Sequence, residues 1–252
     1  MRRYIFVSVA IAIGLAGAVA LAQLGGGGYG GRSGGDPAFR AESRPGTVCT
    51  ATGTDAVCIG DGAVAGDAAG DDGVLAIGAR STATGDGAIA IGENADATGA
   101  NSIAIGGNTT DTSSADATGI GNIAIGNNAL SDGSSGSIAI GSGADSGGLG
   151  GIVIGDTTFV TNPGAVAIGL EVFVNANYAV AIGQKTDANG ANCIAIGGNA
   201  VDADSADCSA ADSVAIGQHV IADDIGEFAF ASGEFATQSD AHTSIFVLRN
   251  ST

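Results

Sequence analysis

The sequence predicts an all-β protein: a parallel β-roll, or β-solenoid, of about 14-residue coils. Three observations carry that expectation. First, a four-residue signature of an apolar residue, a small residue, Ile and Gly recurs from residue 57, with its glycine at 60, 78, 92, 106, 126, 141, 155, 169, 183, 197 and 217. The separations are 18, 14, 14, 20, 15, 14, 14, 14, 14 and 20 residues, so 14 is the basic unit and the longer ones carry insertions. A fixed short period marks stacked identical units. Second, apolar and polar residues alternate with period two inside the unit Gly92 to Gly106: Ala95 with Ala97, then Ile103 with Ile105 around Ala104. That is the period of strands, and each unit has room for two short ones. Third, the chain holds 45 Gly, 8 Phe, 3 Tyr and no Trp, so Ala, Ile and Val must do nearly all the burying and the core must be thin.

Reading from the amino terminus, Met1 to Ala22 has a basic start (Arg2, Arg3), an apolar stretch and a small-residue end, Ala20-Leu21-Ala22. This is the layout of a secretory signal peptide over 1–22, an uncleaved membrane anchor being the alternative. Residues 23–46, with their glycine run, read as a flexible linker. The repetitive head is expected over 47–217 and a carboxyl-terminal cap over 218–252, where Glu227-Phe228-Ala229-Phe230-Ala231 keeps the alternation with larger side chains. The four cysteines of an exported chain pair by neighbourhood, Cys49 with Cys58 and Cys193 with Cys208.

Competing repeat folds fit less well. Helical hairpins would place Gly and β-branched residues inside every helix. A six-residue β-helix does not divide into 14, and the glycine-rich calcium roll lacks its repeated motif here. A second glycine seven residues after the first, as at Gly85, Gly99 and Gly190, is expected to supply positive φ at a corner.

The middle signature position reads Cys58, Ala76, Ala90, Ala104, Ala124, Ala139, Val153, Ala167, Ala181, Ala195 and Ala215. If the flanking Ile and Val residues point into the coil, this position points out, and Ala76 through Ala215 form a small apolar stripe. Such a stripe predicts packing against another copy of the chain, because each coil alone holds too few apolar side chains for a thick core.

The units Ser102-Ile103-Ala104-Ile105-Gly106, Ser137-Ile138-Ala139-Ile140-Gly141 and Ser213-Val214-Ala215-Ile216-Gly217 resemble the head repeats of YadA-like trimeric autotransporter adhesins. The resemblance covers roughly residues 57 to 217. It implies a left-handed β-roll, a homotrimer with the stripe at its interface, and adhesion to a surface receptor or matrix protein without catalysis. It also implies an extracellular or cell-surface location. No heptad stalk and no set of amphipathic anchor strands is recognisable in this sequence, so a virion spike or fibre, or an extracellular filament subunit, is the alternative reading.

Chemistry is sparse. His219 and His242 are the only histidines and no nucleophile motif frames them, so no enzyme activity and no cofactor are expected. The formal charge of −18, with Lys185 the only lysine, disfavours nucleic acid and anionic membrane surfaces. Dense Asp fits both adaptation to high salt and the Asp preference of solenoid turns. The two 20-residue units should protrude as loops, making Asn108, Thr110, Asp111 and Asp116 in the first, and Asp202, Asp204 and Asp207 in the second, candidate binding residues. Calcium on the acidic groups is a minor alternative to a solvated surface, since their spacing matches no loop motif. Asn108 and Asn250 begin acceptor patterns for N-glycosylation.

Overall fold

The computed structural model describes residues 39–41, 49–67, 71–110, 113–201, 205–233 and 243–246. Residues 1–22, expected to direct export, most of the expected linker, Asp111, Asp202, Asp204, His242 and Asn250 lie outside the described residues. Nearly all described strands belong to two parallel ladders, one of 14 strands and one of 12, between which the chain alternates. Two strands and two corners make one coil, and about 12 coils stack. The first sheet collects the signatures, for example Ile89–Ile91 and Ile103–Ile105; the second collects two-residue strands such as Asp96–Ala97. Like sits on like: Ala76, Ala90, Ala104 and Ala124 are successive register partners, even across the 20-residue unit.

The roll is longer than its glycine signatures. Phe39–Ala41, placed by the sequence in the linker, pairs in parallel with Val57–Ile59. At the other end Val220–Ala222 and Glu227–Ser232 continue the two ladders, so the coil pattern passes 217 and runs to Ser232. Thr243–Phe246 then adds antiparallel to Glu227–Ser232 and ends the first sheet with a change of direction.

The expected orientation of the signature is reversed. Every middle residue of the stripe, Ala76 through Ala215 with Val153 among them, is fully buried within one chain, whereas the flanking Ile and Val residues face outward and are partly exposed. The reason is the width of the lumen. In the coil formed by Ile89–Ile91 and Asp96–Ala97 the inward side chains are Ala88, Ala90, Ala95 and Ala97, all 0% exposed. Both disulfides, Cys49–Cys58 and Cys193–Cys208, lie inside it and bring their Cα atoms to 6.1 Å. Packed sheets usually stand about 10 Å apart, a gap that holds larger side chains. At little more than half that distance only small side chains fit, mostly alanine and serine with Val153, Val160, Val174 and Asn122 among the largest, and isoleucine is forced out.

Several of the polar side chains inside are satisfied by corner carbonyls, whereas the buried hydroxyls of Ser102 and Ser146 make no hydrogen bond. Thr158 Oγ1 donates to Gly169 O (3.0 Å) and Thr186 Oγ1 to Gly197 O (2.7 Å). Midway along, Asn122 Nδ2 donates to Ser131 O (2.8 Å) and Gly133 O (2.7 Å), and the Ser137 amide donates to Asn122 Oδ1 (3.0 Å). This belt separates two apolar clusters, one ending at Ala129 and the other beginning at Ala139.

Glycine serves two separate purposes. Signature glycines have φ from 126 to 153°, and a Cβ on any of those from Gly60 to Gly217 would strike the carbonyl of the next coil. Gly85, Gly99 and Gly190 do not supply positive φ as expected; they are glycine because a Cβ would lie about 2 Å from the neighbouring coil's carbonyl oxygen. The corner turn is made two residues later, at Gly87, Asn101 and Asn192. Gly169→Ala places a methyl 1.6 Å from Gly183 O and is expected to cost about 4 kcal/mol or more. Gly150→Ala meets nothing within 4 Å and should cost only the about 1–2 kcal/mol of a left-handed alanine. Denaturant midpoints of the two variants measure the contrast.

Candidate functional site

Two outward faces are available for interaction. On the first sheet the residues displaced from the lumen form two columns, one running Leu75, Ile89, Ile103, Ile123, Ile138, Ile152 and the other Ile77, Ile91, Ile105, Ile125, Ile140, Ile154. Both extend the length of the roll, about 50 Å at ~4.8 Å per strand. Exposure reaches 39% at Ile154 and 38% at Ile196, and the columns end in Phe228 and Phe230, the latter 60% exposed. Contiguous apolar surface of this length marks an interaction face.

The second sheet presents one outward residue per strand. Its column reads Asp96, Asp116, Leu130, Asp145, Phe159, Phe173, Asp187, Asp207, Ile221 in register order. Phe159 and Phe173 stack at 5.0 Å between ring centroids. Beside them Thr157, Glu171, Phe173, Lys185 and Asp187 line a depression of about 300 Å³. Lys185 Nζ lies 3.2 Å from Glu171 Oε2. Sequence reading passed over this group, although the recurrence of Phe at 159 and 173, one 14-residue unit apart, was visible.

The predicted loop residues separate. Asn108 and Thr110 lie at the corner where the first insertion begins, and Asn108 is tied to the coil through its carbonyl, which accepts from Asn94 Nδ2 (2.7 Å). Asp116 and Asp207 do not protrude: both belong to second-sheet strands, Asp116–Ala117 and Ala206–Cys208, and are half-buried on that face. The extra residues of both insertions instead precede these strands. The Cys193–Cys208 bond closes the coil beneath the second insertion from inside the lumen, and Cys58 faces inward, where another chain cannot reach it. Among the described residues Asp223, Asp224 and Glu227 form an acidic group, in which the Glu227 carboxylate accepts from the Asp223 and Asp224 amides (3.0 and 3.3 Å) and so caps a turn.

Burial raises the Asp145 carboxyl above the ordinary carboxylate range, and Asp132 adds repulsion. A raised folded-state value means the folded chain prefers the protonated acid, so stability falls as pH rises through that value. Asp145→Asn is therefore expected to raise the melting temperature at neutral pH, with the gain vanishing below the unfolded carboxylate value of about 3.9. Thermal melts of the two proteins across that range test the sign.

The chain matches no curated protein. Residues 70–95, 83–109 and 175–200 match the model of the YadA head domain repeat in its two-copy form. Those spans fall on coils of the stack described above, and over them the chain is similar to YadA head repeats, consistent with a YadA-like head domain.

Proposed function

We propose that the chain is a non-catalytic binding head displayed outside the cell, an adhesin that works as a homotrimer. The aliphatic wall of the first sheet packs between protomers, and the second sheet and the insertions face outward. Two supports stand behind this reading. Head repeats of this type are adhesin-like and homotrimeric in the family generally. The observation that carries it for this chain is the wall itself: the narrow lumen expels a complete double column of isoleucine, valine and leucine, and burial between chains removes that surface from water at about 25 cal/mol per Å². Self-association was expected from the alanine stripe; it is assigned instead to the residues on either side of it.

An extended, rigid rod suits adhesion. Its outer faces are repeated at strand spacing, so a ligand meets the same geometry at each coil, and the corners accept insertions without disturbing the ladders. Amino-terminal residues 1–22 would direct export, and residues 23–46 up to Phe39 would space the head from whatever precedes it.

The mass of the folded protein in solution tests the assembly. Sedimentation equilibrium should give three chains, unchanged by reductant because both disulfides close within one chain. Ile140→Lys, on the wall, should reduce the mass to that of one chain while the circular dichroism spectrum remains that of β-structure. Ala139→Leu, one residue away but inside the lumen, should instead destabilise the coil by about 1–3 kcal/mol or more through overpacking. A parent protein that sediments as a single chain removes the proposed assembly.

A further inference from the structure

The depression beside the stacked phenylalanines is complete within one chain, so an inference about it stands whatever the number of chains in the assembly. Its floor is the ring of Phe173, 51% exposed although it stacks on Phe159 of the preceding coil. The residue thus remains half exposed to solvent despite the stacking. Its walls are Glu171, Lys185 and Asp187, with Thr157 at the rim. Carboxylates bracket the aromatic pair along the ladder, Asp145 before Phe159 and Asp187 after Phe173.

The backbone beneath Glu171 and Lys185 is held firmly. Glu171 and Lys185 occupy left-handed corner positions, φ 54° each, and their amides donate to Asp156 O and Leu170 O of the preceding coils, both at 2.9 Å. A backbone held in this way adds little ordering cost when a partner docks.

We propose that this depression is a docking site for a cationic side chain, an arginine above all, presented by a protein partner. An exposed aromatic face attracts a cation, and a planar guanidinium can stack on it while its N–H groups reach carboxylates at the edge. Lys185 Nζ lies 3.2 Å from Glu171 Oε2, so with Asp187 the lining carries one net negative charge, and an incoming guanidinium competes with that ammonium for Glu171. The formal charge of −18 draws basic partners toward the surface. An anionic ligand would meet one ammonium already in an ion pair, with two carboxylates beside it. The depression is shallow, which suits one side chain of a macromolecule better than a small molecule that must be enclosed.

The test uses the folded full chain and fluorescently labelled arginine-glycine, lysine-glycine and serine-glycine repeat peptides, with binding read by anisotropy at physiological salt. The arginine peptide should bind most tightly and the serine peptide not at all. Phe173→Ala should weaken the arginine peptide about tenfold. Phe173→Leu, which keeps apolar bulk on the strand but removes the aromatic face, should do the same and guards against a folding defect, checked by thermal melting. Asp55→Asn removes one exposed charge in a remote coil and should leave binding within about twofold. Equal weakening by Asp55→Asn and Phe173→Leu would mean diffuse attraction and overturn the proposal. So would unchanged affinity in both Phe173 variants, or displacement of the peptide by a neutral oligosaccharide.

Discussion

Facing backbones 6.1 Å apart, where the disulfides cross the lumen, leave no space for leucine, isoleucine or phenylalanine, and no apolar side chain larger than valine is buried among the described residues. Alanine and valine at the inward positions and isoleucine at the outward ones follow from that distance, while the corner glycines follow from the close approach of neighbouring coils. A 14-residue circuit with two corners and two short strands cannot enclose more. What the chain saves in length it gives up in self-sufficient burial, because its largest aliphatic residues end on the surface. The association proposed for the head is the complement of that deficit. A solenoid with a wider lumen could bury its own isoleucines and have no such wall.

The period, the two strands per coil, the parallel stacking and both cysteine pairings were legible because each depends on spacing alone. The direction of the side chains was not. Alternation fixes which residues share a face, but choosing the inner face by size assumes that larger apolar groups go inside. Here the assumption fails because that choice depends on the separation of the sheets, which no pattern in one sequence encodes. Cys58 offered a sign in the stripe itself: if it pairs with Cys49 within one narrow coil, the middle position must face inward. The aromatic site was missed for another reason. Phe159 and Phe173 share a ladder position only once the second strand of the coil is placed, and Glu171 and Lys185 enter their neighbourhood only through corner geometry.

Along the lumen the apolar lining is interrupted by the Asn122, Ser131 and Ser137 belt, whose amide and hydroxyls are engaged with one another and with carbonyls. A buried amide with its partners in place is tolerated at one register and penalised at every other, which makes the belt a marker for stacking in a structure where neighbouring coils look nearly alike. Each flanking apolar segment holds one disulfide, Cys49–Cys58 on one side and Cys193–Cys208 on the other. Covalent closure and apolar lining are thus distributed to both halves.

Both long insertions enter and leave at the corner that follows a signature glycine, and the register resumes behind each without a slip. The ladder is therefore indifferent to what is spliced there, provided the ends return to adjacent points of one turn. Such a corner is a ready place for variation: sequence can be exchanged, lengthened or replaced by a foreign epitope while the rod beneath keeps its pitch, and six coils separate the two natural examples, setting grafted segments on the order of 30 Å apart along one edge.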